Sequence, residues 1–321
     1  MPYHIPALLH ETIDSLELRA DGCYADLTFG GGGHSRAIME RLSAGGTLYS
    51  FDQDIEAYHN AMNDPFWREK EGHGWQFVHG NFRYLRQYLD YYQNDKKSPT
   101  SIDGILADLG VSFHHFDDSH RGFSFRFEGP LDMRMNQQGG KTAADILNSY
   151  TEEELANILY LYGELRQSRR IASAIVRSRA TRPIERTTDL LDIVAKGKYK
   201  TTGNDEIEVE PDLKKDLSRL FQALRIEVND ELGALRDMLV AGTAVLRPGG
   251  VFAILTYHSL EDRMVKNFFR TGNIEGVVEK DFYGNALTPF AGKQQLFTAS
   301  ADEVERNPRA RSAKLRVAQK R

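Results

Sequence analysis

The sequence predicts an α/β fold, a Rossmann-like doubly wound sheet carrying an inserted helical domain. Three observations predict it. Short apolar runs alternate with helical stretches through the first 110 residues, a glycine run follows the first apolar run, and the alternation then stops until one more apolar strand returns near residue 251. Alternation of this kind implies parallel strands, because each crossover helix must bury its apolar side against the sheet.

The elements follow in order. Cys23–Phe29 is a first strand, followed by glycines and a helix from about Ser35 to Leu42. Gly46–Phe51 is a second strand, and Ile55–Met62 opens a second helix. Gln76–His79 and Ile102–Leu109 supply a third and a fourth strand, separated by a helix over Phe82–Tyr92. From about Phe113 to Asp216 there are helical stretches but no convincing strand. Thr151-Glu152-Glu153-Glu154 forms a capping box, followed by Leu155, Ile158, Leu159 and Tyr162 at helical spacing. Lys196–Glu210 is polar and glycine-containing, and reads as an exposed loop. One long helix from about Leu217 to Leu246 leads through Pro248-Gly249-Gly250 to a fifth strand, Val251–Thr256. These elements predict an α/β domain formed by residues 1–112 and 217–321, with a helical substrate-recognition domain, 113–216, inserted between the fourth and fifth strands.

Composition narrows the function. With 40% hydrophobic and 27% charged residues the chain reads as globular, and no apolar run approaches the roughly 20 residues of a membrane span. Residues Met1–His10 show no basic stretch leading into an apolar one, so no secretory signal is expected. Cys23 is the one cysteine, which excludes an internal disulfide and fits a reducing cytoplasm. A net charge of −5 argues against indiscriminate coating of nucleic acid. The bases are nevertheless unevenly spread: Arg166–Lys200 holds ten Arg or Lys against three acids, and Arg306–Arg321 holds seven bases and no acid. Two such blocks in an acidic chain point to a phosphate-rich partner, although a basic block can also be a solvated face.

The glycine run carries the first chemical signal. Asp26-Leu27-Thr28-Phe29-Gly30-Gly31-Gly32-Gly33-His34 joins a strand to a helix, and glycines there let backbone approach a ligand. The second strand leads to Asp52, placed where a doubly wound fold grips ribose hydroxyls. A dinucleotide fingerprint would need its third glycine at Ser35 or Arg36, so the diphosphate signature is absent. The acid-x-x-x-Gly-x-Gly form instead resembles the first motif of class I S-adenosyl-L-methionine-dependent methyltransferases. Asp108 ends the fourth strand, so Gly30, Asp52 and Asp108 all fall at carboxyl ends of strands, where such sheets bind ligands.

Longer strings point to one family. In order they are His4-Ile5-Pro6-Ala7-Leu8-Leu9, Gly32-Gly33-His34-Ser35, Asp108-Leu109-Gly110-Val111-Ser112, Arg121-Gly122-Phe123-Ser124-Phe125 and Gly129-Pro130-Leu131-Asp132-Met133-Arg134-Met135. Phe221-Gln222-Ala223-Leu224-Arg225-Ile226, His258-Ser259-Leu260-Glu261-Asp262-Arg263 and Asn307-Pro308-Arg309-Ala310-Arg311-Ser312 follow. Together they resemble the ribosomal RNA small subunit methyltransferase H family, which methylates N4 of a cytidine in the decoding region of 16S RNA. The resemblance implies S-adenosyl-L-methionine as cofactor and 16S rRNA within the small ribosomal subunit as partner. It implies a cofactor site at Gly32, Gly33, His34, Asp52, Phe82 and Asp108, with Gly30 in the same loop. It also implies one further cofactor contact, the glutamine of a Ser-Pro-Gln after Val111-Ser112; this chain has Phe113-His114-His115, so His115 takes that cofactor-binding place, where imidazole can still hydrogen-bond.

The reaction sets its own demands. The cytosine amine is a poor nucleophile because its lone pair is delocalised into the ring, so the site must accept hydrogen bonds from it and align it. Many amino-methyltransferases place an acid or amide, two prolines and an aromatic after the fourth strand; Asp108-Leu109-Gly110-Val111 retains the acid alone. Either Asp108 binds the cofactor or it also receives the amine. Tyr257 and His258, just beyond the fifth strand, are candidates to contact a flipped base, with a structural capping histidine as the alternative for His258. His114, His115, Asp117, Asp118 and His120 lack diagnostic metal spacing, and the chemistry needs no metal. Arg121, Arg126 and Arg134 are read either as phosphate contacts or as ion pairs. A methyltransferase acting on protein or a small molecule, and an RNA-binding assembly factor without catalysis, are the competing readings. The sequence leaves the oligomeric state open, a homodimer included.

Overall fold

The structure, a computed structural model, describes residues 6–93, 101–111, 116, 118–202 and 205–321. In chain order its strands are β1 (Cys23–Asp26), β2 (Thr47–Asp52), β3 (Trp75–His79), β4 (Ile102–Asp108), β5 (Tyr199–Thr201), β6 (Ile207–Val209), β7 (Leu246–Thr256), β8 (Phe290–Thr298) and β9 (Lys314–Lys320). The chain divides into two units, one of residues Met1–Gly110 with Leu232–Arg321 and the other Val111–Glu231.

The first unit is built on a sheet of strand order β3-β2-β1-β4-β7-β9-β8. β1 pairs in parallel with β2 and β4, β2 with β3, and β4 with β7; β9 runs antiparallel between β7 and β8. The chain order reverses at β1 and β4, and this reversal opens a crevice at their carboxyl ends. Residues of the inner strands point into apolar layers on both sides, so β4 reads Ile102, Ile105, Leu106 and Ala107 without polar alternation. One layer gathers Phe51, Leu85, Leu89, Met238, Phe252 and Phe268. The other gathers Tyr24, Phe29, Ile38, Trp67, Trp75 and Leu255. Each fully buried side chain of this size contributes about 1.5–3 kcal/mol relative to exposure.

Three expectations change in this unit. The sequence predicts nothing beyond a fifth strand, yet β8 and β9 complete the sheet. Leu315 and Val317 of β9 are buried, and so is Arg316, whose Nε donates to Asp262 at 2.6 Å while Lys314 Nζ donates to the same carboxylate at 3.1 Å. Lys320 Nζ reaches the carbonyls of Thr243 and Leu246, each at 2.6 Å. Much of the Arg306–Arg321 basic block is therefore internal wiring rather than an open phosphate surface. The glycine-loop helix also starts earlier than predicted, spanning Gly33–Met39.

The second unit packs the helices Ala143–Ser149, Glu152–Leu161, Ser168–Arg179, Thr187–Val194 and Pro211–Asn229 around Leu155, Leu159, Ile175, Leu190, Leu220 and Leu224. The capping box read from Thr151 and Glu154 is formed: the Thr151 N–H donates to Glu154 Oε2 at 2.7 Å, and the Glu154 N–H donates to Thr151 Oγ1 at 3.2 Å. The polar Lys196–Glu210 segment contains the β5–β6 hairpin, because Ile207 and Val209 alternate with exposed Glu208 and bury into the core. The predicted single helix from Leu217 to Leu246 is two helices, Pro211–Asn229 and Glu231–Val245, since Asp230 adopts a left-handed conformation with φ of 46°.

Candidate active site

The glycine loop is fixed from both sides. Gly30 N–H donates to Asp52 Oδ2 at 2.8 Å and Asp54 N–H donates to Asp52 Oδ1 at 2.9 Å, so the acid ending β2 closes onto the loop after β1. Gly32 has φ of 76°, and a Cβ there would lie 2.7 Å from the Phe29 ring; a Cβ on Gly33 would collide with Pro6 Cγ. By contrast, a Cβ on Gly30 would meet nothing within 4 Å. The loop thus packs tightly behind and opens in front, leaving room for a ligand against its backbone.

Beneath the loop lies a buried polar chain that the sequence reading missed. Ser35 Oγ donates to Asp26 Oδ2 at 2.6 Å and contacts Ser50 Oγ at 2.8 Å, which accepts from Trp75 Nε1 at 3.0 Å. Burial pushes the Asp26 carboxyl upward, against the lowering influence of Ser35 and His34. Thr28 N–H donates to Asp26 Oδ1 at 3.1 Å, and Thr28 Oγ1 accepts from Asp108 N–H at 2.6 Å. Thr28 thereby ties the end of β1 to the end of β4.

Asp108 is the chemical centre of the arrangement. Its Oδ1 accepts the Tyr257 hydroxyl at 2.7 Å, and its Oδ2 lies 3.7 Å from His34 Nδ1. Burial raises the Asp108 carboxyl to about 7, with the Tyr257 hydrogen bond pulling the other way and Glu261 adding to the rise. The side chain still keeps 24% of its surface open, enough for an incoming donor to reach it. Such an acid is balanced between acceptor and donor near neutral pH, a property of groups that exchange protons with substrates. Tyr257 is held well above the usual phenol range, first by burial and then by Asp108, so it remains a donor.

The predicted residues fall into three groups. Gly30, Gly32, Gly33, His34, Asp52 and Asp108 line the carboxyl ends of β1, β2 and β4. Tyr257 joins them through Asp108. Phe82 opens a short turn of 3-10 helix, Phe82–Tyr84, beyond β3, where the Asn81 side chain accepts from Arg83 N–H at 3.0 Å and donates to Gln53 Oε1 at 2.9 Å. Gly80 N–H donates to the Asp52 carbonyl at 2.9 Å, which sets this turn at the same edge as Asp52. His258 is engaged elsewhere: its Nε2 lies 3.1 Å from Glu261 Oε1, and Glu261 Oε2 accepts the N–H groups of Tyr257 at 3.0 Å and His258 at 3.4 Å. Glu261 thus caps the helix Ser259–Thr271 and holds Tyr257 in place. His114, His115 and Asp117 lie outside the described residues.

The arginines after β4 separate as well. Arg121 is buried and donates to the carbonyls of Arg134 and Met135 at 3.0 and 3.1 Å, while Arg134 forms a forked pair with Asp132 at 2.9 and 2.7 Å. Both are structural within the second unit. Arg166, Arg169, Arg170 and Arg177 are exposed, the last three on the helix Ser168–Arg179.

Among the described residues, no helix is long and apolar enough to cross a membrane. The chain is similar to curated proteins named ribosomal RNA small subunit methyltransferase H. It is 52% identical over 319 residues to that of Parabacteroides distasonis, covering 99% of this chain and 97% of the relative. It is 52% identical over 322 residues to that of Bacteroides thetaiotaomicron, covering 100% and 98%, and 53% identical over 320 residues to that of Phocaeicola vulgatus, covering 99% and 98%. With residues 1–321 matched to the family model, and relatives half identical along their full length, the chain belongs to the MraW methylase family.

Proposed function

We propose that this chain transfers a methyl group from S-adenosyl-L-methionine to N4 of a cytidine in the decoding region of 16S ribosomal RNA, acting on the small subunit in the cytoplasm. The observation that carries the reading is Asp108: a largely buried acid with one side still open, held by Tyr257 at the sheet's switch point, beside a glycine loop closed onto Asp52.

The residues fit the cofactor. The open front of Gly30 leaves space for it, Asp52 suits ribose hydroxyls because a carboxylate accepts from two donors at once, and Phe82 offers an aromatic ring for adenine. Bound there, the cofactor supplies an electrophilic methyl on sulfur. Asp108 Oδ2 accepts an amine N–H, which raises electron density on the nitrogen and fixes the amine's position, so the gain comes from orientation and a fixed charge. Tyr257 orients Asp108 and keeps its ionised form accessible.

The exposed face formed by Arg166, Arg169, Arg170 and Arg177 supports assigning the second unit, here taken as 113–216 with its flanking helix, to RNA recognition. The test is methyl transfer to small subunits that lack the modification, followed by mass spectrometry of the nucleosides. N4-methylcytidine is expected; 5-methylcytidine, or no transfer with cofactor bound, overturns the proposal.

A further inference from the structure

His34 plays no part in the mechanism above, yet its geometry is specific. The ring is buried, and its Nε2 lies 3.2 Å from the Ala7 carbonyl oxygen, which can only accept. Nε2 therefore carries the hydrogen, and in the neutral ring the bare lone pair of Nδ1 points toward Asp108 Oδ2, 3.7 Å away. A lone pair facing an ionised carboxylate in a buried site is unfavourable, and one proton between them relieves it. Charged or titratable groups face the pair from several elements: Asp26 from β1, and Tyr257 and Glu261 from the segment after β7. Burial holds His34 below the usual histidine range, with Asp26 and the Ala7 carbonyl opposing it, so the imidazole rests neutral.

We propose that His34 is the proton acceptor behind Asp108, the two side chains sharing the single proton that methyl transfer to the amine releases. The inference rests on the proposed reaction. The amine lone pair forms the new N–C bond as the methyl–sulfur bond breaks, with that electron pair remaining on the donor's sulfur. The N4–H bond then breaks toward Asp108 Oδ2, and the proton passes on to His34 Nδ1, leaving neutral methylated cytosine. Catalytic contacts that are long in the empty site shorten in the complex, and 3.7 Å needs a closure of under about 1 Å to become a hydrogen bond.

His34→Gln is the informative variant, because its amide nitrogen can keep the bond to the Ala7 carbonyl while removing the base at Nδ1. Cofactor binding by calorimetry serves as the control for site integrity. The variant should lose about 10²–10⁴-fold in kcat, the usual contribution of a positioned acid–base group. The midpoint of its pH–rate profile should fall below that of the wild type, since the opposing lone pair is gone. A midpoint that stays or rises, with cofactor bound, overturns the proposal, because a rise would mean that His34 had been a stabilising cation. Nitrogen spectra of histidine-labelled wild type provide a measurement independent of turnover and of folding of the variant. They should show His34 protonated on Nε2 and bare on Nδ1 between pH 6 and 8, and the opposite tautomer or a doubly protonated ring overturns the assignment. Should wild type fail to methylate unmodified subunits, the proposed function falls while the spectra still test the proton pair.

Discussion

Tyr257→Phe separates a positioning role from a direct one. The substitution removes only the hydroxyl that donates to Asp108 Oδ1 at 2.7 Å and leaves the ring. A hydrogen bond to a charged group contributes about 1.5–3 kcal/mol, and 1.36 kcal/mol corresponds to one pKa unit. Losing it disfavours the ionised acid, so the Asp108 midpoint should move from about 7 to about 8–9. The acceptor form is the ionised one. At pH 7 its fraction falls from about half to a few per cent, and kcat should drop roughly 5- to 50-fold. The loss should fade as pH rises and nearly vanish by about pH 9.5. The assay is single-turnover methyl transfer to unmodified small subunits between pH 6 and 9.5. A loss of constant size at every pH would refute the reasoning and make Tyr257 a substrate contact; no loss at any pH would mean that the 2.7 Å hydrogen bond does nothing for the reaction.

The remaining predictions concern the other parts of the site. Asp52→Ala should weaken cofactor binding by about 1–3 kcal/mol in calorimetry without unfolding the chain, and unchanged affinity would mean that the ribose is held elsewhere. Removing Arg169, Arg170 and Arg177 together should weaken subunit binding and flatten its salt dependence, the mark of lost phosphate contacts; wild-type affinity and salt slope would exclude that face. Cys23→Ser should stay active, because burial and Asp103 push the thiol up to about 12 and no thiolate is present to attack a ring carbon. Asp108→Asn should abolish transfer yet raise Tm at pH 8. The folded acid sits at about 7 against an ordinary 3.8, so the folded state binds the extra proton and wild-type stability declines as pH rises between those values. The gain in Tm should disappear near pH 4, and a gain that persists there would assign it to something other than this ionisation.

What the sequence disclosed and what it withheld follow from how far apart the partners lie in the chain. The glycine loop, the acids ending β2 and β4, and the Thr151–Glu154 cap are local patterns, and each is found where its own neighbours imply. The proton chemistry is not local. Asp108 meets Thr28 across 80 residues and Tyr257 across 149, and its altered acidity comes from burial that no stretch of sequence displays. The sequence makes Tyr257 and His258 equal candidates to contact a base; Glu261 accepts the N–H groups of both and has the His258 ring against it, which leaves Tyr257 as the group that reaches Asp108.

Charge needs the same treatment. Arg316 and Arg169 belong to basic blocks that look alike in composition, yet the first is 6% exposed and bonded to Asp262, and the second faces solvent. One signal was available to tell them apart. Lys314-Leu315-Arg316-Val317 alternates with a period of two, the mark of a strand, and in a strand that fills a sheet between two neighbours the polar face is also covered. An arginine on that face must find a carboxylate or destabilise the fold. Asp262, at the start of the helix after β7, is that carboxylate, and it is held low by Arg316 and Lys314 despite its burial. Arg169 and Arg170 lie on a helix whose apolar side is already filled by Ala172 and Ile175, so no such demand falls on them. The helical block therefore presents Arg169, Arg170 and Arg177 to an RNA backbone, whereas Lys314, Arg316 and Lys320 of the other block are held within the sheet.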